Sequence, residues 1–332
     1  PGDEVIVPPL TMSSTSFAVL QANATPVFAD VDPETFQICP DSIEKNITPN
    51  TKAIITVALY GGAPDLPKIR TICDQNSLYL IEDNAECFLA KIGGSLVGSY
   101  GDFASYSFQS SKHLTAGEGG ILLVKDDYHA ERVRSVQSLG YAGLNSKTAK
   151  ISKSTIQHYS YSRHSRMGWN YRMPELCCAV ALGQTERIDE LVKARCDVAQ
   201  IYNDAISDLG SNLVSPQNNY PNATNTYWTW VAKLNTNVVD WDEFRKKYTS
   251  LSGDPYYGAW KLSYLEPMFK NRNLLGREEF ITSKRYSEYK KGLCPNAEMI
   301  QPMLMQFKTN YWQIDEVNKS VDALRKTIKY FS

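Results

Sequence analysis

At 332 residues the chain is long enough for one large domain and a smaller one. Its 42% hydrophobic and 21% charged residues are ordinary for a globular protein. A formal net charge of −1 gives no electrostatic footprint for nucleic acid or an anionic membrane, and no apolar run approaches the ~20 residues that span a bilayer.

Seven cysteines (Cys39, Cys73, Cys87, Cys177, Cys178, Cys196 and Cys294) are scattered without CxxC spacing. An odd count without a framework predicts a reducing, cytoplasmic setting. With four histidines and no ligand cluster, no metal site is expected.

In chain order, residues 1–8 read as a strand, 11–22 as a short helix entered through hydroxyls, and 26–33 as a second strand closed by a turn. Residues 41–45 make a brief helix. Residues 53–58 (AIITVA) form a continuous apolar run, as in a strand buried on both faces. A helix over 64–75 follows, with Leu66, Ile69 and Ile72 on one side, then a strand over 78–83. This alternation predicts a mostly parallel sheet with crossover helices, whose ligands gather beyond the carboxyl ends of the strands. By that rule Glu82 and Asp83 should face the crevice, and so should Lys112. Residues 121–124 are the next strand and 126–138 a helix, while 140–166 is a long polar loop. The longest helical pattern covers 175–206, with Ile188, Leu191, Ala194, Val198 and Ile201 at three- and four-residue spacing. It should carry the chain from a large domain (1–200) into a small one (201–332). An Asn- and Pro-rich connector (216–226), a strand (227–234) and helices over 241–248 and 314–331 complete the chain.

Lys112 follows an apolar run that ends in hydroxyls at Ser107 and Ser111. Gly117, Gly119 and Gly120 then let the backbone turn beside it. A lysine held in this way becomes a Schiff-base nucleophile if its surroundings lower its pKa. No GxGxxG fingerprint follows a strand, Ser99 stands where a P-loop at Gly93 needs Lys, and no GxSxG elbow is present. The positive signal is a pair, Asp83 at one strand end and Lys112 after another. Pyridoxal 5'-phosphate (PLP) needs such a pair, a lysine for its aldehyde and an acid for its ring nitrogen.

In order, residues 2–8 (GDEVIVP), 24–28 (ATPVF), 30–33 (DVDP), 59–61 (LYG), 81–83 (IED), Gly101-Asp102, Ser107-Phe108 with Lys112, 117–120 (GEGG), 168–173 (GWNYRM), Cys294-Pro295 and 306–310 (QFKTN) resemble the DegT/StrS-type sugar aminotransferases. The resemblance covers nearly the whole chain. It implies an aspartate aminotransferase-like, fold-type I α/β fold, with a mostly parallel large domain and a smaller C-terminal α/β domain. It implies PLP as cofactor, with Lys112 as the Schiff-base lysine, Asp83 against the pyridine nitrogen and Ser107 on the phosphate. Asn170 is implied to reach the phosphate of a neighbouring subunit, giving a homodimer with a shared site.

The implied reaction moves an amino group, usually from glutamate, to a nucleotide-linked keto-sugar for amino-sugar and polysaccharide biosynthesis. Two alternatives stand beside it, a PLP-dependent sugar dehydratase, which carries His where Lys112 stands, and a non-catalytic protein of the same fold. Three departures from the pattern are visible. Met12 replaces an aromatic ring that stacks on the cofactor, and Glu86 replaces Gln or His near it. The helix and Gly-(Ser/Thr) turn that precede residue 2 in the family are missing, so either the sequence is a fragment of a longer chain, which its abrupt start favours, or the phosphate cup is incomplete. Tyr256, Tyr257 and Trp260 are read either as stacking surfaces for a base or sugar or as small-domain packing.

Overall fold

The computed structural model describes residues 1–145, 147, 150–279, 281 and 289–332. Four short apolar strands come first: β1 (Glu4–Val7), β2 (Thr25–Phe28), β3 (Thr51–Val57) and β4 (Tyr79–Asp83). Between them run α1 (Ser14–Gln21), α2 (Pro40–Asn46) and α3 (Leu66–Asn76). Each helix has local reasons for its limits. In α3, for example, the Asp65 carboxylate accepts the Lys68 N–H, and Ser77 closes the helix in the left-handed region at φ 55°. A hairpin of β5 (Lys91–Ile92) and β6 (Ser95–Leu96) follows, turning at Gly93 and Gly94 with φ of 57° and 84°. The P-loop-like glycine spacing therefore serves a hairpin turn.

Strands β7 (Phe103–Ser107) and β8 (Gly120–Val124) complete a sheet of order β2-β1-β3-β4-β7-β8. All its pairings are parallel except β7 with β8. Alternate residues feed two cores. Ile6, Ile54 and Leu80 enter one, and Val7, Ile55 and Val57 enter the other, which explains the continuous apolar runs.

Helices α4 (Asp127–Gln137), α5 (Lys153–Gln157), α6 (Glu175–Thr185) and α7 (Ile188–Leu209) follow. The single helix expected over 175–206 is therefore two. Arg187, at φ −110° and ψ 16°, leaves helical geometry between them. The two pieces also differ in kind. Leu176, Val180 and Leu182 of α6 are exposed, whereas α7 buries one face, including Val198, Ala199 and Tyr202. The long polar loop carries α5 and is pinned at its ends, since Ser165 N–H donates to Gly140 O at 2.9 Å and Ala142 N–H to Arg163 O at 2.9 Å. Residues 146, 148 and 149 of that loop lie outside the described residues.

The second sheet is antiparallel. Strands β9 (Val214–Pro216), β10 (Thr229–Leu234), β11 (Tyr257–Gly258) and β12 (Leu304–Lys308) lie in the order β11-β12-β10-β9. They are accompanied by helices α8 (Trp241–Ser250), α9 (Pro267–Lys270), α10 (Pro295–Ile300) and α11 (Ile314–Phe331). Trp230, Ala232 and Leu234 pack with Tyr202, Phe244, Phe307 and Leu324, while Val231 points the other way into the core beneath the first sheet. β10 thus joins the two halves, and the residues just before it, Thr226 and Trp228, bond Gly61, His113 and Ser111 in the connections that follow β3 and β7.

Candidate active site

β4 ends on Asp83, which pairs with Ser105 of β7. Strand alternation puts Asp83 and Glu82 on opposite faces. Glu82 is buried away from the crevice, where its carboxylate accepts the N–H groups of Gly98, Tyr100 and Gly101 at 2.5, 2.9 and 2.5 Å. The expectation that Glu82 and Asp83 both face the crevice is corrected accordingly. Glu82 anchors the β6–β7 turn. Burial pushes its carboxyl up, against the pull of the three N–H groups.

Asp83 does face the crevice. It accepts Thr15 Oγ1–H at 2.8 Å and Ala85 N–H at 3.2 Å. Burial raises its pKa, opposed by Thr15, the Ala85 N–H and the charge of Lys112. Glu86, three residues on, is buried, and its two oxygens have different partners. Oε1 accepts Lys112 Nζ at 3.2 Å and Oε2 accepts the Tyr60 N–H at 3.0 Å. Burial pushes Glu86 upward, Lys112 and the Tyr60 N–H pull it down, and Asp83 adds to the upward push.

Lys112 lies in the β7–β8 connection, its N–H donating to Gln109 O at 3.0 Å and its side chain 13% exposed. Its Nζ stands 4.3 Å from the centre of the Trp228 ring, a cation–π contact. Trp228 donates its indole N–H to Ser111 O at 2.8 Å and stacks on Trp260, which stacks on Tyr60. The contacts close a cycle from Glu86 to Lys112, Trp228, Trp260, Tyr60 and back to Glu86. Trp260 is therefore part of the packing around Lys112. Tyr256 is buried in the core of the second sheet, and Tyr257 is exposed.

The cycle depends on an unusual turn. Tyr60 has φ 63° and ψ 11°, a region that costs a bulky residue on the order of 1–3 kcal/mol. The next residue, Gly61, has φ +97°, and a Cβ there would lie 2.4 Å from Tyr227 N and 2.9 Å from Trp228 N. Gly61→Ala is expected to destabilise the fold by about 2–4 kcal/mol, read as a lower urea midpoint, because the turn and the entry to β10 have to separate.

Arg195 of α7 holds the lysine from behind. Its guanidinium donates to the backbone oxygens of Trp228, Ser111 and Lys112 at 2.7, 3.1 and 2.9 Å, and to Thr309 Oγ1 at 3.3 Å. It is buried and makes no ion pair among the described residues. Burial lowers its pKa to about 10.

His113, beside the lysine, is buried with Nε2 2.8 Å from Thr226 O, and Nδ1 has no hydrogen-bond partner. Burial is the main reason its pKa falls from 6.5 to about 3. In the unfolded chain this imidazole takes up a proton as pH drops through 6.5, while in the folded chain it does not. Stability is therefore lost progressively below that pH. His113→Asn is expected to flatten the fall in urea midpoint between pH 6.5 and 4.5; an unchanged slope would remove His113 as its source.

The other residues singled out in the sequence lie around this cluster. Ser107 ends β7, with its hydroxyl oxygen accepting Gln109 N–H at 3.2 Å. Met12 is exposed and sits three residues before Thr15, which bonds Asp83. Asn170 is exposed on a segment tied to the end of α4, where Trp169 N–H donates to Val136 O and Tyr171 N–H to Gln137 O. No hydrogen bond among the described residues joins Asn170 or Met12 to Lys112. Thr15, Tyr60, Trp228 and Arg195 also belong to the site, and no sequence motif marks them as such. Only Arg195 left a usable signal, a charge placed between Leu191 and Val198 on the buried stripe of its helix.

The donor set suits PLP. Two carboxylates face one ammonium group, and Asp83 forms no ion pair of its own among the described residues. A second cation, such as a protonated ring nitrogen, would supply the missing charge. Lys112 offers the amine for an aldehyde.

A mostly parallel six-stranded sheet carries these groups at its carboxyl edge beneath a smaller antiparallel sheet, and that arrangement defines a fold-type I PLP enzyme fold. The chain belongs to the DegT/DnrJ/EryC1/StrS aminotransferase family, whose pattern matches residues 1–297. It is 35% identical over 244 residues to the GDP-perosamine synthase of Escherichia coli O157:H7, covering 74% of this chain and 62% of that protein. It is 33% identical over 227 residues to the GDP-perosamine synthase of Vibrio cholerae, covering 68% of this chain and 57% of that one. The matched region thus spans about three fifths of the length of either relative. Among solved structures, the aminotransferase from Psychrobacter cryohalolentis superposes with a TM-score of 0.85 at 26% identity, covering 99% of this chain and 82% of that one.

Proposed function

We propose that the chain acts as a PLP-dependent aminotransferase that passes an amino group from an amino-acid donor, glutamate first among them, to a nucleotide-linked keto-sugar. The observation that carries this reading is the cluster of half-buried Asp83 and Lys112 around buried Glu86 at the carboxyl edge of the sheet. The relatives named GDP-perosamine synthase make a GDP-linked keto-sugar the first acceptor to test.

When bound, PLP supplies an electrophilic aldehyde and a ring that accepts electrons from the substrate carbon. The chain's own residues divide the remaining work. Lys112 Nζ would hold the aldehyde carbon and, once displaced by the donor amine, take and return a proton as general base and acid. Asp83, oriented by Thr15 and Ala85, would face the ring nitrogen and keep its proton in place. Ser107 would turn its hydroxyl to the phosphate, Met12 would pack its thioether near the ring, and Glu86 would lie beside both ring and lysine.

Asn170, which is exposed, would complete the phosphate site of a neighbouring subunit. Exposed apolar side chains at Ile121, Leu122, Leu123, Leu176 and Leu182 support such a dimer. His113 is committed to Thr226 and does not replace Lys112 as the base, which weighs against the dehydratase alternative. All seven cysteines are free and, among the described residues, no helix is long and apolar enough to cross a membrane, in keeping with a cytoplasmic setting.

The test is to load the full chain with PLP, add glutamate and then a GDP-linked keto-sugar, and follow the visible band and the sugar mass. Glutamate should bleach the band, and the sugar should gain an amino group and restore it. If PLP binds but no amino donor bleaches it, the aminotransferase reading fails.

A further inference from the structure

Tyr60 donates its N–H to Glu86 Oε2 at 3.0 Å from the left-handed region, where a bulky residue is strained. A backbone in that state persists only where its surroundings fix it. What fixes it lies on the other side of the same peptide. The link from Leu59 to Tyr60 is trans, so the Leu59 C=O and the Tyr60 N–H share one plane and point in opposite directions. Gln37, in the connection between β2 and α2, is 1% exposed and lays its amide along Leu59. Its Nε2 donates to Leu59 O at 3.0 Å, and its Oε1 accepts the Leu59 N–H at 3.2 Å.

We propose that Gln37 is a positioning residue that locks the Leu59–Tyr60 peptide with its N–H toward Glu86, and through Glu86 sets the place of Lys112. The competing state is a flip of this one peptide plane. The flip carries Tyr60 into the ordinary negative-φ region and relieves its strain. It also turns the Leu59 carbonyl oxygen toward Glu86, so that oxygen faces oxygen and the buried carboxylate loses a donor. Glu86 Oε1 would then leave its position 3.2 Å from Lys112 Nζ.

Gln37 opposes the flip because a turned plane takes Leu59 O from its Nε2. That buried donor would keep only a 3.4 Å contact with Thr35 O. The Leu59 N–H, bonded to Gln37 Oε1, keeps the amide from turning after the carbonyl. Other donors at Leu59 O hold it less firmly. Gln217 Nε2 lies 3.5 Å away and is better placed on Thr35 O at 2.7 Å. The Gly62 N–H, at 3.2 Å, belongs to the turn and moves with it.

The inference rests on Lys112 being the reactive amine of the proposed function, but one arm of its test reads the peptide without the cofactor. In the full chain, hydrogen exchange at the Tyr60 amide is followed by NMR, and PLP capture at Lys112 is trapped with borohydride and located by mass spectrometry. Gln37→Met fills similar volume with neither donor nor acceptor. It should speed exchange at Tyr60 about tenfold while α3 and α7 exchange as in the wild type. It should also slow PLP capture about tenfold. Gln37→Glu keeps the length and an acceptor for the Leu59 N–H, so its rates should fall between those of Gln37→Met and the wild type. It also decides the matter if Gln37→Met does not fold.

Glu86→Gln tests the route. In the Gln37→Met background its Nε2 can donate to the turned Leu59 carbonyl while its Oε1 still accepts from Lys112. The double variant should therefore capture PLP about threefold faster than Gln37→Met alone. Wild-type exchange at Tyr60 in the folded Gln37 variants overturns the proposal, whatever happens to capture. A double variant that captures PLP no faster than Gln37→Met overturns it as well, because Gln37 would then not act through Glu86. PLP capture that survives in Lys112→Ala would instead sink the functional reading, and exchange at Tyr60 would still report on Gln37.

Discussion

Lys112→Ala, in the full chain, is expected to fold, to lose covalent capture of PLP on borohydride treatment, and to lose transamination by about a thousandfold or more. The size of the effect follows from the geometry. No other lysine is hydrogen-bonded to Asp83 or Glu86 among the described residues, so no second amine stands ready to take over. The change should also leave a thermodynamic signature. Without the ammonium, Glu86 stays buried with only the Tyr60 N–H as partner. Its pKa in the folded chain, already raised by burial, rises further above that of the unfolded chain. The penalty for burying the ionised form is then fully present above the folded pKa and fades as pH falls through it. Compared with wild type, Lys112→Ala should therefore gain stability as pH is lowered from 8 toward 5, and adding Glu86→Gln should abolish that gain. Urea midpoints at several pH values check both statements. Capture of PLP or turnover within tenfold of wild type would remove Lys112 from its role.

What the sequence revealed about this site and what it hid have physical reasons. Strand and helix order was legible because period-two and period-3.6 patterns are local, so the alternation up to β4 and the Gly-rich turn after Lys112 could be read directly. The approach of Lys112 to Asp83 followed from the rule that ligands gather at the carboxyl ends of parallel strands. That rule has no information about parity, so it places Glu82 in the crevice along with Asp83. Only the strand's two cores decide that Glu82 turns away. The break at Arg187 was hidden because neither Gly nor Pro marks it, and the apolar spacing continues on both sides. Trp228 and Trp260 were beyond reach for another reason. Trp228 meets a lysine 116 positions earlier in the chain, as its indole bond to the adjacent Ser111, at a separation of 117, makes plain. No local pattern encodes such a contact.

Arg195 is the other side chain whose loss should be severe. A buried guanidinium without a carboxylate is an expensive arrangement, tolerable only because four oxygen acceptors converge on it. Three of these are main-chain carbonyls, from Ser111 and Lys112 in one segment and Trp228 in another. Arg195→Met fills most of the volume but withdraws the donors, leaving buried carbonyls with fewer partners. The expected destabilisation is about 3–5 kcal/mol, measured by urea unfolding. Arg195→Lys should recover only part of it, because an ammonium on a flexible stem cannot bridge both segments with the planar fork of a guanidinium. The loss should also reach Lys112. Its main-chain oxygen is released on one side and Trp228 is released on the other, so the amine is no longer held between Glu86 and the ring. Under conditions where Arg195→Lys remains folded, PLP capture should slow by about tenfold or more. A variant that loses stability yet captures PLP at the wild-type rate would limit Arg195 to joining the two segments, and would show that the Lys112 turn keeps its shape without it.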